Sequence, residues 1–296
     1  MAAVPQLSER LQAWYRNGSY FSFQGDRWFY REAGDGPPLL LLHGYPTASW
    51  GFHKVWPRLT QRFRAIAPDL LGSGFSDKPL GGRYDIASLA DGVEALLQAR
   101  GVRAPHVLAH AYGVTTAQEL LARHLAGGGL PLRSVCFVNG GLFPEGSHPT
   151  PLQRLLMTPP GRLIARWGPT PFRTFSRKLA RNFGQPPSKA ELRELWQLLR
   201  FNGGDRVVPE VLQYLKERYA QRERWVGALA QADIPLRLIN GAADPVSGTD
   251  IPRLWQQTVP NADLVQLDPG IGHYPPLEDP EGTLAAFLAF VDAIEA

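Results

Sequence analysis

Six short apolar runs dominate the chain, and none alternates apolar with polar residues. They are Pro38–Leu42, Ala65–Pro68, His106–Ala109, Ser134–Val138, Leu236–Ile239 and Leu264–Leu267. A half-exposed strand alternates; a continuous run of four or five apolar residues marks a strand covered on both faces. Between the runs lie segments of helical period. In Tyr84–Arg100 the apolar positions are Ile86, Leu89, Val93, Leu96 and Leu97, after an acidic start. Thr115–His124 and Pro280–Ile294 behave alike. Alternation of strand and helix predicts an α/β fold: a parallel sheet with right-handed crossovers and helices on both faces.

The alternation stops after Val138 and resumes at Ile234. The segment 142–232 reads as a helical, Pro-punctuated insertion. The expected organisation is therefore a core of 1–141 and 233–296 carrying a helical cap, 142–232. Residues 151–225 hold 15 Lys and Arg against 6 Asp and Glu, a net +9 within a chain of net charge +4. Solvated helix faces account for that excess; a positive lid that attracts an anionic ligand is the sharper alternative.

Composition narrows the function classes. At 296 residues, 44% apolar and 20% charged, the chain has ordinary globular make-up. A net charge of +4 over the whole chain does not point to nucleic acid. The single cysteine, Cys136, excludes a disulfide framework or a Cys-rich zinc site, and it falls inside a buried strand. No apolar run approaches the ~20 residues of a membrane span, and 1–22 shows no signal-peptide pattern. The expectation is a soluble, cytoplasmic protein without cofactor or metal and without a membrane or nucleic-acid partner.

Four segments carry chemistry, each at a strand end. His43-Gly44-Tyr45-Pro46 follows the first run. A turn there can aim a backbone N–H into the space above the sheet, where ligands bind in open α/β folds. His106–Val114 runs into a helix with small residues at Ala109 and Gly113, the strand–turn–helix framework of a nucleophile elbow. Its centre is Ala111, which carries no nucleophile. Asp244 follows the run Leu236–Ile239, and His273 follows Leu264–Leu267. Nucleophile position, acid, histidine is the α/β-hydrolase chain order. Asn139 competes with Asp244 for the acid role; Asp244 is preferred because it is ionisable and sits at the expected turn. Asp69 reads as a turn-stabilising residue, and His110 as a hydrogen-bonded buried histidine with a possible substrate contact.

These segments resemble the α/β-hydrolase superfamily over essentially the whole chain. His43-Gly-x-Pro46, Asp69-Leu-Leu-Gly72-Ser-Gly74-Phe-Ser76 and His110-x-Tyr112-Gly113 resemble the epoxide hydrolase and haloalkane dehalogenase branch. Ala109–Gly113, Ala117–Leu121, Asn139–Glu145, Arg224–Leu229 and His273–Pro280 are similar to the mesoderm-specific transcript proteins. The resemblance implies an aspartate at position 111, a covalent alkyl-enzyme ester, backbone donors at Tyr45 and Tyr112, and His273 oriented by Asp244 as base. Alanine at 111 departs from that pattern. An Asp→Ala or Ser→Ala replacement is the preferred origin, a natural non-catalytic relative the alternative.

Dehalogenases of this branch bind halide with a Trp after the nucleophile and a second Trp or Asn. Here those places hold Tyr112 and Tyr45, which favours an epoxide over a halide. Epoxide hydrolases protonate the ring oxygen with cap tyrosines, for which Tyr214 and Tyr219 are the candidates. Trp196 and Trp225 are candidates for the cap side of an apolar pocket, with His43, Pro46 and His110 on the core side. The implied substrate is small and largely apolar, with an anionic group as an option. A serine esterase altered at its nucleophile and a ligand-binding pseudo-hydrolase are the other readings.

Overall fold

The computed structural model describes residues 6–161, 163 and 170–296. One sheet of eight strands runs through it in the order β1-β2-β4-β3-β5-β6-β7-β8. The strands are β1 (Gly18–Phe23), β2 (Asp26–Ala33), β3 (Pro38–Leu42), β4 (Arg64–Pro68), β5 (His106–His110), β6 (Ser134–Val138), β7 (Leu236–Asn240) and β8 (Asp263–Gln266). From β4 to β8 all neighbours pair parallel, and all six apolar runs are strands.

The physical reason lies in the two faces. Leu40 and Leu42 of β3, and Val107 and Ala109 of β5, belong to one apolar cluster. Leu39, Leu41 and Leu108 belong to another. The helices Ile86–Ala99, Tyr112–Leu125 and Asp250–Thr258 cover the first cluster. Glu9–Arg16, Trp56–Arg62 and Pro280–Glu295 cover the second. Each consecutive residue of a central strand therefore meets a buried surface, and alternation is lost.

The antiparallel hairpin β1–β2 was not expected. β1 has only half-buried and exposed residues, without strict alternation, and its sequence is mostly polar or aromatic. Its signal is the two-residue turn Gln24-Gly25, where both residues have positive φ, 50° and 91°. Such a turn matches the twist of two antiparallel strands.

Between β6 and β7 the described residues form helices and no strand. The last of these helices, Arg222–Ala230, lies within the stretch read as cap, yet it packs along Tyr112–Leu125 in the helical layer of the core. Glu119 joins the two. Its carboxylate accepts from Arg123 Nε (2.9 Å), Arg224 Nε (2.8 Å) and Trp225 Nε1 (2.8 Å). Among the described residues no helix is long and apolar enough to cross a membrane.

Candidate active site

β5 is buried along its whole length and ends at His110; the helix Tyr112–Leu125 starts two residues later. Ala111 makes the turn alone, with φ 50° and ψ −100°. A residue with a Cβ is strained there by ~1–3 kcal/mol. Two backbone bonds hold the turn: Ala111 N–H to the Val138 carbonyl (3.3 Å) and Gly113 N–H to the His43 carbonyl (2.9 Å). A Cβ on Gly113 would collide with the Leu42 carbonyl, and one on Gly44 would stand 3.0 Å from the Ala111 methyl. The small residues are there because strand, turn and helix approach this closely.

Asp244 and His273 meet beside this turn. His273 Nδ1 lies 2.7 Å from Asp244 Oδ2. The carboxylate is further held by Asn139 Nδ2 (2.8 Å to Oδ2), by the Ser247 hydroxyl on the same oxygen, and by Val246 N–H (2.7 Å to Oδ1). Burial alone would raise its pKa, but the imidazole and these donors outweigh burial and hold it at about 2. An ionised carboxylate on Nδ1 selects the tautomer with its proton there and leaves Nε2 as the basic nitrogen. The His273 backbone is pinned from both sides. Its N–H donates to the Asn182 carbonyl (2.8 Å), and its carbonyl accepts from His110 Nε2 (2.7 Å). Burial and the neighbouring His273 hold the His110 pKa down to about 3, so this histidine is a neutral strut.

Ala111, His273, Tyr45, Tyr112, Tyr214 and Arg218 border one cavity of about 40 Å³. That volume accommodates a few waters. The backbone N–H groups of Tyr45 and Tyr112 donate to no other described group, which leaves both available to an oxyanion. Burial pushes the phenols of Tyr45, Tyr112 and Tyr214 up, so all three remain neutral donors.

Several expected site residues lie elsewhere. Tyr219 is 61% exposed and its hydroxyl donates to the Pro144 carbonyl (3.1 Å). Five residues separate it from Tyr214, which turns it to another side of their shared helix Tyr214–Ala220. Trp225 packs on the core and spends its N–H on Glu119. Trp196 donates to the Thr170 carbonyl (2.7 Å) and packs on Phe172. His43 is a strut: Nδ1 bonds the Gly44 carbonyl (2.7 Å) and Nε2 accepts from Leu70 N–H (2.9 Å). His43, Pro46, His110, Trp196, Tyr219 and Trp225 are all absent from the cavity wall.

Sequence reasoning missed Arg218. It is four residues from Tyr214 and therefore on the same helical face, with its guanidinium 4.7 Å from the Tyr214 ring centre. Spacing from Tyr214 would have found it. Asn139, set aside as an acid, instead positions the acid.

Residues 37–280 match the family described as alpha/beta hydrolase fold. The mesoderm-specific transcript homolog protein of Homo sapiens is 42% identical over 306 residues, covering 98% of this chain and 90% of its own. Two solved structures share the fold at 22% identity. The haloalkane dehalogenase DatA from Agrobacterium tumefaciens has a TM-score of 0.78 and covers 94% of this chain and 96% of its own. The epoxide hydrolase CorEH has a TM-score of 0.74 and covers 94% and 99%. The parallel sheet, the elbow and the whole-length match lead to one conclusion: the chain belongs to the α/β hydrolase fold family.

Proposed function

We propose that this site is built for hydrolysis through an alkyl-enzyme ester, of the epoxide hydrolase type, and that alanine at position 111 removes the covalent step. One observation carries the reading. Ala111 is held at φ 50°, ψ −100° beside the same cavity that His273 borders. A strained turn there is useful when it presents a side chain to a ligand.

With a carboxylate at 111, one of its oxygens attacks an sp³ carbon of the epoxide. The C–O bond of the ring breaks, and a phenol, Tyr214 in this site, gives its proton to the leaving oxygen. His273 Nε2 then takes a proton from water, Asp244 stabilises the imidazolium, and hydroxide attacks the ester carbonyl; the tetrahedral intermediate expels the diol alkoxide, which takes the proton from His273, and the carboxylic acid freed at 111 re-protonates the Tyr214 phenolate. The Tyr45 and Tyr112 amides receive the oxyanion, each worth ~3–4 kcal/mol in comparable sites. In the present chain Ala111 forms no ester. The pair Asp244–His273 can still polarise a water, which predicts turnover near background.

A second reading follows from Ala111 itself: a residue without a nucleophilic atom suits a protein that binds a ligand and releases it unchanged. Parallel Ala111→Asp and Ala111→Ser variants, assayed on 1,2-epoxybutane and 4-nitrophenyl acetate, separate the readings. Epoxide turnover by the aspartate variant alone supports the alkyl-ester site. Ester turnover by the serine variant alone supports acyl transfer. No turnover by either, with folding intact, supports the binding protein.

A further inference from the structure

Arg218 is the deepest cation at the cavity, 4% exposed. All its partners among the described residues are neutral. Nε donates to Thr115 Oγ1 (2.9 Å), Nη2 reaches the Ala111 carbonyl (3.4 Å), and the group lies over the Tyr214 ring. Burying a guanidinium without a counter-charge costs several kcal/mol. The described carboxylates of the neighbouring segments have other partners. Glu217 accepts from Ile86 N–H (2.9 Å), Glu145 pairs with Arg222, Glu119 with Arg123 and Arg224, and Asp244 with His273.

A second, independent observation points to the same place. Ser147 Oγ, Tyr45 Oη and Tyr112 Oη are buried polar atoms without a hydrogen-bond partner among the described residues, and all three residues border this cavity. Ser147 Oγ and Arg218 Nη1 converge on Gly141, where any side chain would strike both. Orphaned donors beside a buried cation form a receptor for an oxyanion.

We propose that the cavity takes a ligand bearing a carboxylate, held by Arg218 with the hydroxyls of Ser147, Tyr45 and Tyr112, with its uncharged end towards Ala111 and His273. The assignment rests on the reading of this cavity as the ligand site, and it narrows the substrate to a small organic anion. For the hydrolytic reading that substrate is an epoxy-carboxylate. Glycine at 141 is then a positioning residue, because it leaves room for the Arg218 guanidinium and the Ser147 hydroxyl.

The test is calorimetric titration of the chain as it stands with butyrate and with its uncharged isostere butyramide. Butyrate should bind at least 30-fold more tightly, about the value of one charged hydrogen bond. Arg218→Met should remove that discrimination, and Ser147→Ala should weaken butyrate several-fold. Arg218→Lys keeps the charge, so it should retain part of the preference even if Arg218→Met folds poorly. Equal affinity for the two probes, a preference untouched in a folded Arg218 variant, or no binding of butyrate at 50 mM would each overturn the proposal. Ala111→Asp assayed on glycidate and glycidamide separates this outcome from the function. Turnover of both at equal kcat/KM leaves the hydrolase and removes the anion subsite. Butyrate binding without any turnover does the reverse.

Discussion

Asn139 Nδ2 donates to Asp244 Oδ2 at 2.8 Å, the same oxygen that faces His273 Nδ1 at 2.7 Å. Its own Oδ1 accepts from Gly241 N–H at 2.7 Å. One amide at the end of β6 thus fixes both the acid and the loop behind it. Asn139→Ala should cost ~1–2 kcal/mol of stability, the usual price of a broken buried hydrogen bond. In the Ala111→Asp background it should lower kcat about tenfold with little change in KM, as expected for a residue that orients a catalytic pair. Steady-state kinetics of the two variants check this. An unchanged kcat would show that Asp244 needs no such support.

Acid should weaken the fold well before its carboxylates titrate. His110 is held at about 3 by burial and by His273, and His53 at about 4 by burial. Both values lie below the unfolded value near 6.5, so the unfolded chain binds more protons as the pH drops. Stability is fully present above pH 6.5 and is lost as pH falls towards the folded values. Each histidine reduces the folding constant nearly tenfold per pH unit, so from pH 7.5 to pH 5 the pair predicts a loss of roughly a thousandfold. Urea midpoints across that range measure it. A flat profile would mean that these rings protonate in the folded state.

Glu119 carries the contact between Tyr112–Leu125 and Arg222–Ala230. Its partners are two arginines and an indole, and its own side chain is buried. Glu119→Ala leaves the buried Trp225 N–H without its acceptor, while Arg123 keeps Asp91 and Glu94 and Arg224 is partly exposed, so the loss should be about 1–2 kcal/mol. Equilibrium urea unfolding should show that drop. A change below ~1 kcal/mol would mean the helices are held by apolar packing alone.

The parallel strands were legible because the sheet is covered on both faces, so Pro38–Leu42 and Ser134–Val138 read as unbroken apolar runs. The elbow was legible from its small residues Ala109 and Gly113, and at Gly113 the close approach of strand and helix leaves no room for a side chain. The pairing of Asp244 with His273 was legible from their places after β7 and β8. The edge hairpin was not legible, since β1 is partly solvated and its pattern is weak. Nor did the sequence tell which aromatic residues of the insertion reach the cavity. That depends on how each helix is rotated against the core, and Trp225 faces Glu119 while Tyr214 faces Tyr112. Asn139 was weighed only as an acid for a related reason, since its partner Asp244 is about 100 residues away, whereas Arg218 shares a helical face with Tyr214 and its spacing was there to be read.

The central claim is that position 111 is the place from which a carboxylate would attack a ligand in the cavity, and the most direct measurement is capture of the covalent intermediate. His273→Gln combined with Ala111→Asp retains the attacking carboxylate and removes the base that hydrolyses the ester. Intact mass after mixing with 1,2-epoxybutane should increase by one epoxide equivalent, with the adduct on the peptide spanning 111. The chain with alanine at 111 should gain nothing under the same conditions. A folded double variant that acquires no adduct, while Ala111→Asp also fails to turn over the epoxide, would contradict the account.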